Sequence, residues 1–275
     1  MNTPRTIKHN SSLADVLKKI IEEKKSRLLV TENDKIIGLV SEKDLGLFLF
    51  MDTTERKLDE IPLSEIIKKI ISVDEKTELG KCAQIMLENS IGSLVVTSND
   101  DVSGILTKTD LVRYFTKTHL DEKIVGEYMS PYYAWQYSDA SLSKVVLKMI
   151  DEGISRVVLR NHNEIPVGIV TFRDLFNLAL KLGTQEDVLD NTDPMISVIF
   201  PRKGFISESG FGGSTKVNEI MSKDIFSVNY DDDLAQTGKM LLEKNINGAG
   251  VLSGHGRMIG IISKTDIVKA LAFLK

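Results

Sequence analysis

The sequence predicts an α/β fold, more loosely α+β, assembled from four copies of one β-α-β-β-α unit. Three observations carry that prediction. A pattern of glycine, two apolar residues, Ser or Thr, two variable residues and Asp occurs as "GLVSEKD" from Gly38, "GILTKTD" from Gly104, "GIVTFRD" from Gly168 and "GIISKTD" from Gly260. A stretch of helical periodicity precedes each copy. Between that stretch and the pattern lie a short apolar run and a polar turn. Self-similarity of this kind decides architecture before any local reading does.

Each unit opens on a short extended piece, "RTIK", "IISV", "YAWQ" or "IFSV". The amphipathic helix follows. Its apolar residues are Leu13, Val16, Leu17, Ile20 and Ile21 in copy one, and Leu79, Cys82, Ala83 and Met86 in copy two. Copy three has Leu142, Val145, Val146, Met149 and Ile150, and copy four has Leu234, Gly238, Leu241 and Leu242. These i, i+3, i+4, i+7 spacings bury one helix face. Next come the strands "RLLV", "SLVV", "RVVL" and "GAGVL" and the turns "ENDK", "SNDD", "NHNEIP" and "SGHGR". Two runs separated by Asn, Asp and Gly read as a hairpin. The second hairpin strand carries the glycine pattern, and a last helix opens after the hydroxyl.

A unit of about 60 residues buries little surface alone and must stack on a sister copy. The expected order is repeat one at about 1–52, repeat two at 62–118, repeat three at 124–182, an insertion at 183–214 and repeat four at 215–275. Repeats one and two are expected to form a first module, 1–118, and repeats three and four a second, 119–275. The stretch 51–62 reads as an ordinary linker.

The 275 residues carry a net charge of −4, with 42% hydrophobic and 27% charged residues. That composition is ordinary for a globular protein. It argues against nucleic acid as the main partner, which needs a basic surface. No apolar run reaches the roughly 18–20 residues of a membrane span, and the polar start "MNTPRTIKHN" does not resemble a signal peptide. The one cysteine, Cys82, cannot make an intramolecular disulfide or a cysteine-based metal site and lies on an apolar helix face. No His, Cys or carboxylate spacing resembles a metal site. A cytoplasmic location is expected.

Ser or Thr ending a strand, with an acid three residues on, is a capping box, and this reading stays open. Three features point beyond it. The acid is Asp in all four copies, where a capping box prefers Glu or Gln. The residues between vary, so the ends are what is held. A glycine inside a strand indicates that something approaches the backbone closely. A helix N-terminus with a hydroxyl suits a phosphate. A carboxylate beside it can accept from a ribose diol, as in dinucleotide sites, and a glycine offers a flat wall for a base. Together these describe a nucleotide pocket.

The pattern "G-h-h-[ST]-x-x-D" after a hairpin, with its preceding amphipathic helix, resembles the cystathionine-β-synthase (CBS) domain. Four copies resemble two paired CBS, or Bateman, modules, similar to the gamma subunit of AMP-activated protein kinase. The resemblance implies two pseudo-twofold modules forming a disk. It also implies AMP, ADP or ATP, or less readily S-adenosylmethionine, as a regulatory ligand in clefts between paired repeats, with no catalytic cofactor. Asp44, Asp110, Asp174 and Asp266 would hold ribose hydroxyls, and Ser41, Thr107, Thr171 and Ser263 would contact ribose or phosphate. Thr6, Ser72, Trp135 and Ser227, in the leading extended piece, would offer backbone groups to the base. Family sites often carry a basic residue at the start of the first hairpin strand; here that position holds Arg27, Ser93, Arg156 and Gly248. Arginine suits phosphate through its two-pronged fork. One phosphate clamp per module is therefore expected, with solvated edge-strand arginines as the alternative.

Lys43, Lys108, Arg173 and Lys264 stand at the helix starts, either against phosphate or simply solvated. Trp135 replaces a small hydroxyl residue and either stacks on a base, plugs its cleft or is a buried aromatic. His9 is placed to reach a phosphate, while His119, His162 and His255 read as surface residues. The insertion's "VIFPRKGFISESGFGGST" lacks the GK[ST] of a phosphate loop and reads as a linker or a partner-docking loop. The chain lacks a nucleophile–base constellation, so an enzyme is disfavoured. A non-catalytic adenine-nucleotide sensor that signals to a partner protein is the leading reading, with a homodimer through the disk as one assembly. A ligand-free docking scaffold, with the motifs acting only as caps, is the alternative.

Overall fold

The computed structural model describes residues 5–274 apart from 24, 53, 55, 100, 176, 177 and 179–210. Most of the expected insertion lies outside the described residues; its end, Phe211–Ser214, forms one helical turn.

Four three-stranded sheets are present among the described residues, one per repeat. Repeat one has β1 (Thr6–Lys8), α1 (Leu13–Glu23), β2 (Arg27–Glu32), β3 (Lys35–Ser41) and α2 (Glu42–Met51). Repeat two has β4 (Ser72–Asp74), α3 (Leu79–Glu88), β5 (Ser93–Ser98), β6 (Asp101–Thr107) and α4 (Lys108–Thr118). Repeat three has β7 (Trp135–Tyr137), α5 (Leu142–Asp151), β8 (Arg156–Arg160) and β9 (Pro166–Thr171), with a closing helix that opens at Phe172. Repeat four has β10 (Ser227–Asn229), α6 (Leu234–Glu243), β11 (Gly248–Leu252), β12 (Met258–Ser263) and α7 (Lys264–Phe273). The β-α-β-β-α unit read from the sequence is therefore the unit that forms.

In each sheet the leading strand runs parallel to the middle strand, and the middle strand pairs antiparallel with the third. The β2–β3 hairpin turns at Asn33 and Asp34, with φ of 48° and 61°. Asn and Asp tolerate the left-handed region that such a two-residue turn demands. The periodic helix residues bury as expected: Leu13, Val16, Leu17 and Ile20 in α1, and Leu142, Val145, Val146 and Met149 in α5.

Packing gathers the chain into two units. One holds repeats two and four, within 70–133 and 225–275; the other holds repeats one and three, within 5–69 and 134–224. The modules 1–118 and 119–275 each give one repeat to either unit. In the first unit, residues of both repeats share one apolar cluster that includes Phe115, Met86, Leu241 and Ile267. In the second, repeat one closes a cluster around Leu17, Val30 and Leu58, and repeat three closes another around Val146, Leu159 and Leu175, against which Leu47 packs.

The segments between repeats are fastened in a way the sequence did not disclose. Residues 61–68 lie along repeat one, 215–222 along repeat three and 123–130 along repeat four. In each, the first residue's carbonyl accepts from the first residue of the repeat's leading helix: Leu13 N to Ile61 O at 2.9 Å, Leu142 N to Thr215 O at 2.9 Å and Leu234 N to Lys123 O at 2.8 Å. The last residue of each strap forms a two-way backbone bridge to the residue after the motif glycine: Lys68 with Leu39, Ser222 with Ile169 and Ser130 with Ile261. The linker expected at 51–62 thus runs into a strap that helps close repeat one.

Candidate functional site

Strand register places the expected site residues. Arg27 lies opposite Ser41, Ser93 opposite Thr107, Arg156 opposite Thr171 and Gly248 opposite Ser263. The leading strands begin at the same end: Thr6 pairs with Leu29, Ser72 with Val95, Trp135 with Val158 and Ser227 with Gly250. The third strand ends where the other two start, so each repeat gathers its leading residue, its strand-start residue, its hydroxyl and its aspartate at one sheet end. Alternation sends Leu28 and Val30 into the core and leaves Arg27 on the opposite face. Arg27 and Arg156 are half-buried there, while Thr6, Ser72 and Ser227 are exposed.

Every motif aspartate closes its own helix start. The Ser41 N–H donates to Asp44 Oδ2 at 3.0 Å, the Ser41 hydroxyl donates to the same oxygen at 2.5 Å, and Asp44 N–H donates to Ser41 Oγ at 3.3 Å. Thr107 and Asp110 repeat the three bonds at 3.0, 2.6 and 3.3 Å. Thr171 N–H and hydroxyl reach Asp174 Oδ2 at 2.8 and 2.7 Å, and those of Ser263 reach Asp266 Oδ2 at 2.7 and 2.6 Å. Asp therefore completes the capping box despite its shorter arm.

One carboxylate oxygen is used in all four repeats, and the other is treated differently. Asp110 Oδ1 accepts from the Arg113 guanidinium at 2.9 Å, and Asp174 Oδ1 from the Ser222 hydroxyl at 3.3 Å.

The glycine has a different partner from the one expected. It does not stand as a wall for a base in the three repeats where its surroundings are described. A Cβ on Gly260 would lie 2.5 Å from Ser130 O, and one on Gly168 would lie 2.5 Å from Met221 Sδ and 2.9 Å from Ser222 O. One on Gly38 would collide with the Ile67 side chain and come within 3.0 Å of Lys68 O. The close approach is the strap.

The remaining cations are engaged within their units. Lys108 Nζ donates to Thr265 Oγ1 at 3.1 Å, and Lys264 is only 8% exposed. Arg173 Nε lies 3.9 Å from Glu42, and Lys43 Nζ sits 5.9 Å from the Phe172 ring centre. The first turns of two closing helices therefore meet inside each unit.

Trp135 is half-buried, and the Arg160 guanidinium carbon stands 4.7 Å from its ring centre. Tyr137 meets the indole edge-on at 5.3 Å and stacks on His162 at 4.9 Å. Arg160 also binds Glu164 at 2.9 Å, and Tyr137 donates its hydroxyl to the same carboxylate at 3.0 Å. Arg160 and then Tyr137, bonded to Glu164, hold its carboxyl below the usual range, and the phenol is raised in turn. This cluster, which sequence reading missed, became visible only through the register that sets Tyr137 opposite Arg160.

His9 turns away from the motif end, 3.4 Å from Glu32 at the far end of the sheet. His119 is partly buried rather than superficial, 5.0 Å from the Phe115 ring and 2.8 Å from Glu122. Cys82 is 2% exposed, and burial raises its thiol pKa. Among the described residues, no group of three or more His, Cys, Asp or Glu is placed to hold a metal ion, and no helix is long and apolar enough to cross a membrane.

Four helix-capped sheets of this construction define a tandem-repeat protein of the CBS kind. The CBS domain family model matches residues 1–47, 63–117, 125–181 and 217–273, and the chain belongs to that family. It is similar to protein MJ1225 of Methanocaldococcus jannaschii, 21% identical over 97% of this chain and 95% of that one. The crystal structure of MJ1225, which carries the description of a candidate archaeal homolog of g-AMPK, superposes with a TM-score of 0.78 at 20% identity, over 98% of this chain and 97% of that one. An uncharacterized conserved protein from Pyrococcus horikoshii superposes with a TM-score of 0.66 at 20% identity, over 98% and 96%. A 33.4 kDa protein from the ribosomal RNA operon of Thermofilum pendens is 25% identical over 70% of this chain and 67% of its own.

Proposed function

We propose that this chain is a non-catalytic regulatory protein that binds adenine nucleotides, AMP foremost and also ADP or ATP, and signals their presence to a partner protein in the cytoplasm. The supporting observation is the fourfold register that sets a hydroxyl, a capping aspartate and a strand start at one sheet end. Oδ2 of the aspartate orders the helix start, and Oδ1 is the oxygen a ribose hydroxyl would use. The ordered helix start offers N–H groups and a positive dipole end to a phosphate. Arg27 and Arg156, each opposite a motif hydroxyl, are the phosphate-clamp candidates of repeats one and three. Thr6, Ser72 and Ser227 begin the leading strands where backbone groups would meet a base.

The straps favour 1–118 and 119–275 as functional modules. The strap on repeat one runs on into repeat two. The strap on repeat three runs on into repeat four, and the strap on repeat four runs on into repeat three.

Capping bonds from Ser or Thr to the motif aspartate in all four repeats favour one second reading, a ligand-free docking scaffold. Calorimetry separates the two. The full chain is titrated with AMP, ADP, ATP and S-adenosylmethionine, beside Asp44→Asn and Asp174→Asn. Nucleotide binding predicts heat with an adenine nucleotide, and a loss of about 1.5–3 kcal/mol of binding energy at the altered repeat, the usual worth of a hydrogen bond to a charged group. The scaffold predicts no heat from any of the four.

A further inference from the structure

The second oxygen of Asp174 accepts from a hydroxyl on the strap of repeat three. Ser222 Oγ donates to Asp174 Oδ1 at 3.3 Å, while Oδ2 serves the capping box. Ser222 is the last residue of the strap on repeat three. Its backbone is fixed on both sides, Ser222 N to Ile169 O and Ile169 N to Ser222 O, each at 3.0 Å. Lys68 holds the corresponding place on repeat one, so no hydroxyl is offered to Asp44 from that strap position. Five residues past Ser222 the chain becomes the leading strand of repeat four.

We propose that Ser222 is a built-in stand-in for a ribose hydroxyl, which makes 215–222 a latch that a nucleotide at repeat three must release. This rests on the reading of the motif end as an adenosine site. An aliphatic hydroxyl donating to a carboxylate oxygen is the interaction a ribose diol makes, and Asp174 Oδ1 is already engaged. A ligand that takes that oxygen displaces Ser222, and the strap then keeps its backbone bridge but loses its side-chain anchor. Repeat three thus carries a self-competitor that repeat one lacks, and the released strap carries the news toward repeat four. Coupling of this kind needs only a differential contact between the two states of the strap.

The test uses the full chain. Trp135, the one tryptophan, begins the leading strand of repeat three, so its fluorescence reads that repeat. Wild type, Ser222→Ala, Ser222→Thr and Asp174→Asn are titrated with AMP, ADP, ATP and S-adenosylmethionine, and amide exchange of 215–222 is followed with and without ligand. Removing the competitor lowers the half-saturating concentration of Ser222→Ala by roughly threefold to tenfold, the range set by one net hydrogen bond. Its strap already exchanges fast without ligand, whereas Ser222→Thr, which keeps the hydroxyl, behaves as wild type. In wild type, saturation speeds strap exchange.

If wild type shows binding heat but Ser222→Ala titrates identically, and strap exchange ignores the ligand, the latch is overturned and the nucleotide reading stands. If no adenosine ligand gives heat or a fluorescence change in wild type, the reading falls and the latch with it. Should Ser222→Ala fail to fold, wild-type strap exchange with and without ligand decides alone.

Discussion

Each motif aspartate commits Oδ2 to its helix cap, so the ribose contact proposed for Oδ1 can be tested apart from stability. In Asp44, Oδ2 takes the Ser41 N–H and hydroxyl. Asparagine at 44 keeps one carbonyl oxygen that still accepts the Ser41 N–H but loses the charge. Asp44→Asn should therefore cost at most about 1 kcal/mol in urea unfolding, at the mild end for a lost cap. Affinity at that repeat should fall about tenfold or more, as expected when a charged acceptor is lost. A large stability loss with unchanged nucleotide affinity would leave capping as the residue's whole role. The capping role was half legible in the sequence. The fourfold Asp marked the position, but the preference of capping boxes for Glu argued against a cap that the short arm in fact completes. Trp135 was legible as an exception among hydroxyl residues; the Arg160 guanidinium over its ring was not, because the pairing depends on which face of β8 each residue occupies.

At the scale of elements, a third-strand glycine announces close approach, and the approaching group is a strap from elsewhere in the chain. Sequence periodicity sees neighbours on a helix or strand, not a partner like Ser130 against Gly260, so the motif was legible and its partner was not. The three notches differ in what blocks a methyl group. At Gly260 the obstacle is a backbone carbonyl held in a bridge, Ser130 O, which cannot rotate away. At Gly38 the nearest obstacle is the Ile67 side chain, with Lys68 O farther off at 3.0 Å. Gly260→Ala should cost about 1–3 kcal/mol, the usual range for overpacking, with faster amide exchange at Ser130. Gly38→Ala should cost less. Equal losses by chemical denaturation would show that the strap bridges are not what the glycines accommodate.

Over the whole molecule, the four repeats read plainly from the sequence because each carries its own periodic helix, hairpin and cap. Which repeats share a core did not, because that depends on the outer faces of helices. In the unit of repeats two and four, α4 crosses α6 closely enough that a Cβ on Gly238 would stand 2.8 Å from Thr116 Cγ2. Close crossing explains a mid-helix glycine that otherwise costs about 1 kcal/mol of helix propensity. Nearby, Gln84 Nε2 donates to Ala272 O at 3.0 Å, tying α3 to the end of α7. Phe115, fully buried, belongs to the cluster that also holds Leu241, Ile267 and Leu271. Phe115→Ala should therefore cost about 3–5 kcal/mol, as a large aromatic removed from a core does. Because the cavity opens into a core shared by two repeats far apart in the chain, protection should fall together in β5, β6 and α4 and in α6 and α7. Hydrogen exchange resolved by peptide reads this directly. Loss confined to repeat two would mean that the repeats pack as neighbours yet fold as separate cores; simultaneous loss in repeat four makes the pair, not the single repeat, the cooperative unit of this part of the chain.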